Sequence, residues 1–250
     1  LPAFCMTLLV PWQLGHAPTS PFPPADTALR EPDGLLAIGG DLHPARLLAA
    51  YRHGIFPWSN PGEPLLWWSP DPRTVFDTTA FRLSRGNRRA LRQTGWQVRM
   101  DTAFDQVIAR CADIPRSGQH GTWIDSRMQA AYQQLHRLGH AHSVEVYQQD
   151  ELIGGLYGVA VGRMFFGESM YSARPGASKL ALAAACHWLA RWDMPLFDAQ
   201  VHNPHLALLG ARSMPRHAFL AKVSELAGQP ATAGSWCTRA GVLDAAALAA

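Results

Sequence analysis

The chain is 250 residues long, which suits one large domain or two modest ones. Apolar residues make up 48% and charged residues 16%, so a sizeable core can form. The formal net charge of +3 permits a nucleic-acid partner without arguing for one, and no apolar run is long enough to span a bilayer.

The four cysteines, Cys5, Cys111, Cys186 and Cys237, are scattered and form no CxxC pair, which favours reduced thiols in a cytoplasmic protein. The opening run LPAFCMTLLVPWQLG has no basic leader and is interrupted by Pro11, so a signal peptide is not expected. Up to about residue 30, Pro18, Pro21, Pro23 and Pro24 argue for extended, irregular chain. A short helix is predicted over 45–53, capped by Asp41 or His43, entered at Pro44 and stopped at Gly54. Leu47, Leu48 and Tyr51 share its apolar side.

Trp58, Trp67 and Trp68 fall within eleven residues. A small aromatic core suits Trp67 and Trp68, whereas Trp58, between Pro57 and Ser59 in a loop, is the better candidate for a stacking surface. Over 81–93, FRLSRGNRRALRQ, a helix would put Arg82, Arg85, Arg89 and Arg92 on one face with Arg88 at its edge. Such a face can track a phosphate backbone or be merely solvated, and Gly86-Asn87 weakens the helix.

A strand over 96–100 is followed by a helix over 102–111 with Phe104, Val107, Ile108 and Cys111 at helical spacing. After a loop over 113–121, Trp123 precedes a helix over 125–138 that carries Met128, Tyr132 and Leu135. His140 and His142 stand two apart with no third ligand of fitting spacing, so no metal site is expected. A strand, a turn at Gln149-Asp150 and a second strand follow.

The rest is organised around 151–182: a strand, a turn at Gly162-Arg163, an apolar strand ended by Gly167-Glu168-Ser169-Met170, and a helix over 177–191. Gly154, Gly155 and Gly158 mark a bulge or a close approach. Glu168 beside Phe165, Phe166 and Met170 suggests an apolar pocket with one charge at its mouth; an ordinary strand-end charge is the plain alternative. A buried strand over 194–201 would send Asp198 and Gln200 to one face, and Phe197, Ala199 and Val201 to the other. That polar pair either ties the strand to a helix end or aims into the pocket at Glu168. Helices over 203–210 and 217–227 complete the pattern, and the chain from about 234 reads as a loosely held tail. No GxSxG, Walker or dinucleotide loop occurs. The order describes an α/β (α+β) protein: a small proline- and tryptophan-rich domain over 1–72, then a mixed domain over 73–250.

The segments ALREPDGLLAIGGDLHPARLLAAYRHGIFPW, LLWWSPDPR, GTWI, LGHAHSVEVY, GGLYGVAVG, FFGESM and DAQVHN occur in one order, and with them the chain resembles the bacterial leucyl/phenylalanyl-tRNA–protein transferases over about residues 20–230. The resemblance implies a small N-terminal domain before a GNAT (acetyltransferase)-like domain with a mixed sheet flanked by helices. It implies a cytoplasmic enzyme, expected as a monomer without a cofactor. Such an enzyme moves Leu, Phe or Met from aminoacyl-tRNA to a protein beginning with Arg or Lys, marking it for degradation.

By the same resemblance, Trp58 and Trp123 match positions that stack on the terminal adenosine of the tRNA. Phe165, Gly167, Met170, Leu182 and Phe197, with Leu156, match the pocket for the aminoacyl side chain. Leu156 stands where relatives carry Met, and Ala185 where a bulkier aromatic is usual, which implies a reshaped pocket. Glu168 matches a carboxylate able to hold an ammonium of either substrate. Asp198 and Gln200 match a catalytic pair in which Gln200 orients the amine and Asp198 fixes Gln200. Arg82, Arg85, Arg88, Arg89 and Arg92 match a segment expected on the acceptor arm. The implied fold also admits an acyl-CoA N-acetyltransferase, although Arg174-Pro175-Gly176-Ala177-Ser178 lacks the spacing of a pyrophosphate loop; a non-catalytic tRNA-binding module is a third reading.

Overall fold

The computed structural model describes residues 10–114, 122–230 and 234–248, so most of the loop expected over 113–121 lies outside the described residues. The N-terminal part forms a four-stranded sheet from β1 (Trp12–Leu14), β2 (Leu35–Gly39), β3 (Phe56–Pro57) and β4 (Leu66–Trp68), in the order β1-β2-β4-β3. Helix α1 (Pro44–Arg52) joins β2 to β3. Of the two expected caps His43 is the one used: Ala45 N–H donates to its Nδ1 at 3.2 Å, while Asp41 braces the cap by accepting the His43 N–H at 2.9 Å. Asp41 also meets Arg46, whose guanidinium donates to the carbonyls of Gly15 and Ala17. That buried arginine is what holds the proline-rich entry chain to α1. Trp67 is the core indole, donating to Gly39 O at 2.9 Å; Trp58 keeps 37% of its surface exposed.

The larger sheet has eight strands: β5 (Arg73–Asp77), β6 (Gln97–Met100), β7 (Ala141–Gln148), β8 (Glu151–Val161), β9 (Met164–Ser172), β10 (Leu196–Asp198), β11 (Arg212–Met214) and β12 (Leu243–Asp244). Their order is β11-β5-β10-β9-β8-β7-β6-β12. β9 and β10 run parallel and every other pair is antiparallel. Between them in sequence come α2 (Arg85–Leu91), α3 (Phe104–Asp113), α4 (Ser126–Arg137), α5 (Ala177–Arg191), α6 (Pro204–Leu208), α7 (Arg216–Ala227) and α8 (Cys237–Ala240), and α9 (Ala245–Leu248) follows β12.

Two apolar cores lie on the two faces of this sheet. On one, the Ala- and Leu-rich α5 packs with Val98, Val144, Leu156, Phe165 and Phe197. On the other, Phe104 of α3, Tyr132 of α4 and Phe219 of α7 share a core with Leu47, Tyr51, Phe56 and Trp67 of the N-terminal part. The small sheet is therefore packed on the large one through continuous apolar contact. No helix among the described residues is long and apolar enough to cross a membrane.

Four expectations are corrected. The helix expected over 81–93 starts only at Arg85, because Ser84 accepts from Asn87 N–H and caps it there. Arg82 lies outside the helix and folds back onto the carbonyls of Thr79 and Phe81, so the four arginines do not share one helical face. Strand β9 does not stop at Gly167 but runs to Ser172, which places Glu168 within it. Strand β10 ends at Asp198, so strand alternation is not what orients Gln200. The described part of the tail is packed. Trp236 is buried, stacks on His142 at 3.6 Å and donates its backbone N–H to Asp101, while Leu243–Asp244 adds an edge strand to β6. Its apolar anchors, Trp236, Leu243 and Ala245, are too sparse to show as a periodic face.

Candidate active site

Parallel strands β9 and β10 pair only from Met164↔Leu196 to Phe166↔Asp198. Beyond that point β9 continues, while the other chain turns away through Gln200 at φ 63°. The parting opens a cavity of about 840 Å³. Gly167 makes the opening possible: a Cβ there would lie 2.5 Å from the Phe197 ring. Across the strand on the other side, Tyr157 faces Ser169 and Gly158 faces Gly167, so Glu168 is the extra residue of a β-bulge. A Cβ on Gly158 would collide with the Phe166 carbonyl, which is why the bulge needs glycine there. The bulge also resets alternation along β9. Glu168 turns to the tyrosines of α1 and α4, and Met170 packs with the core on the α5 side. The cavity thus has an apolar wall from one face of the sheet and a polar floor from the other.

The floor is one hydrogen-bonded cluster. Tyr51 OH donates to Glu168 Oε1, Tyr132 OH to Oε2, and Gln200 Nε2 to Oε1, each at 2.8 Å. The two tyrosine hydroxyls are 2.7 Å apart. Burial pushes the Glu168 carboxyl up to about 7, and the proximity of Asp198 adds to it; the donated hydrogen bonds oppose both. Burial and the neighbouring Glu168 hold both phenols well above their ordinary range, so they remain donors. Glu168 is thus poised to ionise near neutrality and to attract a cation entering the cavity.

Asp198 lies behind this floor rather than in it. Fully buried, it accepts Arg73 Nε at 2.9 Å and Arg73 Nη2 at 2.7 Å, and its Oδ1 also accepts the backbone N–H of Gln200 at 2.9 Å. With both oxygens so engaged, it has no route to a molecule in the cavity.

Trp58 and Trp123 both line the cavity, as do Leu156, Gly167, Met170, Leu182, Phe197, Glu168 and Gln200. Phe165 does not: it is buried one layer back, its ring centroid 5.1 Å from that of Phe197. Ala185 is likewise buried away from the cavity wall. None of Arg82, Arg85, Arg88, Arg89 and Arg92 reaches the cavity; Arg82, Arg85, Arg89 and Arg92 are exposed and Arg88 is half-buried.

Comparison with known families gives this arrangement a context. Residues 75–224 match the model described as leucyl/phenylalanyl-tRNA protein transferase, and residues 40–71 match the model of the N-terminal domain of the same enzymes. A leucyl/phenylalanyl-tRNA–protein transferase of Xanthomonas axonopodis pv. citri is 59% identical over 239 residues, covering 96% of each chain. The chain belongs to the leucyl/phenylalanyl-tRNA–protein transferase family. The Xylella fastidiosa transferase is also 59% identical, over 90% of this chain and 93% of its own. Solved structures align more loosely. L-PGS from Bacillus licheniformis has a TM-score of 0.39 at 13% identity, covering 68% of this chain and 54% of its own. A GCN5-related N-acetyltransferase-like protein from Streptococcus suis has a TM-score of 0.32 at 15% identity, covering 78% and 74%.

The protein is therefore an aminoacyltransferase, and the acyl-CoA reading loses its footing. Sequence reasoning missed three residues that shape the candidate site from behind its lining: Tyr51, Tyr132 and Arg73. Tyr51 and Tyr132 read only as members of apolar helix faces. A phenol on such a face still needs a partner for its hydroxyl, and that was the available signal. Arg73 carried none, since its partner Asp198 is 125 positions away.

Proposed function

We propose that this transferase moves a leucyl, phenylalanyl or methionyl group from the 3′ end of a charged tRNA to the α-amino group of a protein that begins with Arg or Lys. The observation that carries the reading is one cavity in which two indoles, an apolar wall and the Gln200–Glu168 pair stand together. Trp58 and Trp123 offer faces for the terminal adenine, and stacking of a base on an aromatic contributes about 1–3 kcal/mol. Leu156, Met170, Leu182 and Phe197 form a wall for an unbranched-at-Cβ apolar side chain, which polar side chains would enter only at the cost of desolvation.

The ester on tRNA is already activated, so no covalent enzyme intermediate is required. The amine nitrogen attacks the ester carbonyl carbon, a C–N bond forms and the C–O bond to the ribose breaks. The proton lost by the amine ends on the ribose oxygen, carried by water or by the neighbouring ribose hydroxyl. Gln200 donates its amide N–H to Glu168, which leaves its amide oxygen to accept an N–H of the incoming amine and aim the lone pair. An amide oxygen is too weak a base to take the proton, so its part is orientation, and holding two reactants in line can contribute roughly 7–11 kcal/mol. Glu168, ionising near neutrality, supplies a carboxylate for an ammonium group of the substrates. The exposed arginines of 82–92 supply charge for the phosphates of the acceptor arm. The product carries a new N-terminal Leu, Phe or Met and is thereby marked for degradation in the cytoplasm.

The test is direct. The protein is incubated with leucyl-tRNA and a peptide beginning with Arg, and the peptide is expected to gain one leucine by mass. A peptide beginning with Ala is expected to remain unchanged. Equal transfer to both, or to neither, would overturn the reading.

A further inference from the structure

Arg73 sits outside the cavity, yet it is tied to both of its working sides. Its Nε and Nη2 grip the two oxygens of Asp198, and its Nη1 donates to the Gly54 carbonyl at 3.0 Å. The guanidinium is sandwiched at 4.7 Å and 4.5 Å from the ring centroids of Phe56 and Phe219 and is wholly buried. Asp198 in turn accepts the backbone N–H of Gln200, a non-glycine residue at φ 63°. Such a conformation costs free energy and persists only where neighbours impose it. Flanking backbone bonds, Thr74 N–H to Gln200 O at 2.9 Å and Ala199 N–H to Thr74 O at 2.8 Å, bracket the same turn. Gly54, on the other side, opens the short stretch that leads to Phe56, Pro57 and Trp58, all in the cavity wall.

We propose that Arg73 is a positioning residue of the transfer reaction: through Asp198 it fixes the turn that aims Gln200, and through Gly54 it holds the Trp58 wall in register with it. This rests on the proposed transfer and goes beyond it, because Arg73 touches neither substrate. A lysine could not replace it, since one ammonium cannot span both carboxylate oxygens and Gly54 in a planar fork. A simple packing arginine would affect folding and leave the rate of folded molecules alone.

The decisive variant is the charge-free pair Arg73→Met/Asp198→Leu. Removing both members of a buried ion pair together commonly preserves the fold, whereas removing one strands a charge. The melting temperature of this variant is expected to stay near wild type. Its single-turnover rate at saturating leucyl-tRNA and peptide is expected to fall about a hundredfold, the scale of an ångström-level misplacement. On a Gln200→Ala background the same pair is expected to cost little more, because the effect passes through Gln200. Arg73→Lys gives an independent reading, with an expected loss of rate and little change in the KM for peptide. A folded form of either variant with a rate within threefold of wild type would overturn the role of Arg73. Wild-type protein that transfers nothing would instead overturn the proposed function.

Discussion

The hydroxyls of Tyr51 and Tyr132 meet 2.7 Å apart beneath Glu168, so α1 and α4, whose tyrosines lie 81 positions apart, converge on one carboxylate. Each phenol donates to a different oxygen, and each donation favours the ionised form. Tyr51→Phe and Tyr132→Phe are expected to push the Glu168 carboxyl above 7 and lower transfer at pH 7. A hydrogen bond to a charged group contributes about 1.5–3 kcal/mol, so roughly tenfold or more is expected for each. Raising the pH should restore much of the loss, which a pH profile of kcat/KM would reveal.

The Glu168 carboxyl is pushed up from its ordinary value to about 7 by burial. A carboxyl raised in the folded state stabilises the fold below its unfolded value, and that contribution is lost as pH rises through about 7. Glu168→Gln is therefore expected to flatten the fall in melting temperature between pH 5.5 and 8.5. Glu145, also pushed to about 7 by burial, keeps part of the slope in both proteins. Transfer by both proteins should rise as the acceptor amine loses its proton, and the wild type should show a further rise near pH 7 as Glu168 ionises, which the variant should lack. Identical pH profiles of rate for the two would refute the assignment.

Trp58 and Trp123 line the cavity from different elements, one before β4 and one before α4. Trp58→Ala and Trp123→Ala are each expected to weaken aminoacyl-tRNA by about 1–3 kcal/mol, read as a rise in KM for the charged tRNA. Replacement by Phe should recover most of the affinity. KM for the acceptor peptide should stay within twofold in all four variants.

A methyl group on residue 167 would lie 2.5 Å from the Phe197 ring. Gly167→Ala is expected to force that ring across the apolar wall and shorten the side-chain pocket. Phenylalanyl transfer should fall more than leucyl transfer, by about tenfold, the usual discrimination from a small change in an apolar pocket. Competition between the two charged tRNAs in one reaction measures the ratio.

Much of this fold is legible in the chain because its signals are local. α5 runs over the residues its apolar stretch marks, and the hairpin of β8 and β9 turns at Gly162-Arg163 as expected. The glycines of β8 do mark close approaches, Gly158 most directly. The candidate site was legible only in part, since its geometry depends on contacts distant in sequence. Asp198 and Gln200 read as neighbours on one strand face. Instead a turn separates them, with Asp198 drawn into a buried pair with Arg73 and Gln200 held at positive φ. Period-two reasoning cannot foresee where a three-residue strand gives way. Likewise, Phe165 alternates into the α5-side core with the pocket residues but stops one layer short, a distinction set by the ring of Phe197.

The short strand Leu243–Asp244 covers the outer border of β6, and Trp236 plugs the space beside His142 just before it. Clipping the chain ahead of Gly234 would strip away both and leave a row of unsatisfied amides and carbonyls open to any extended peptide. Such a shortened protein is expected to become sticky, so self-association through the bared edge would be the first symptom of damage at this end.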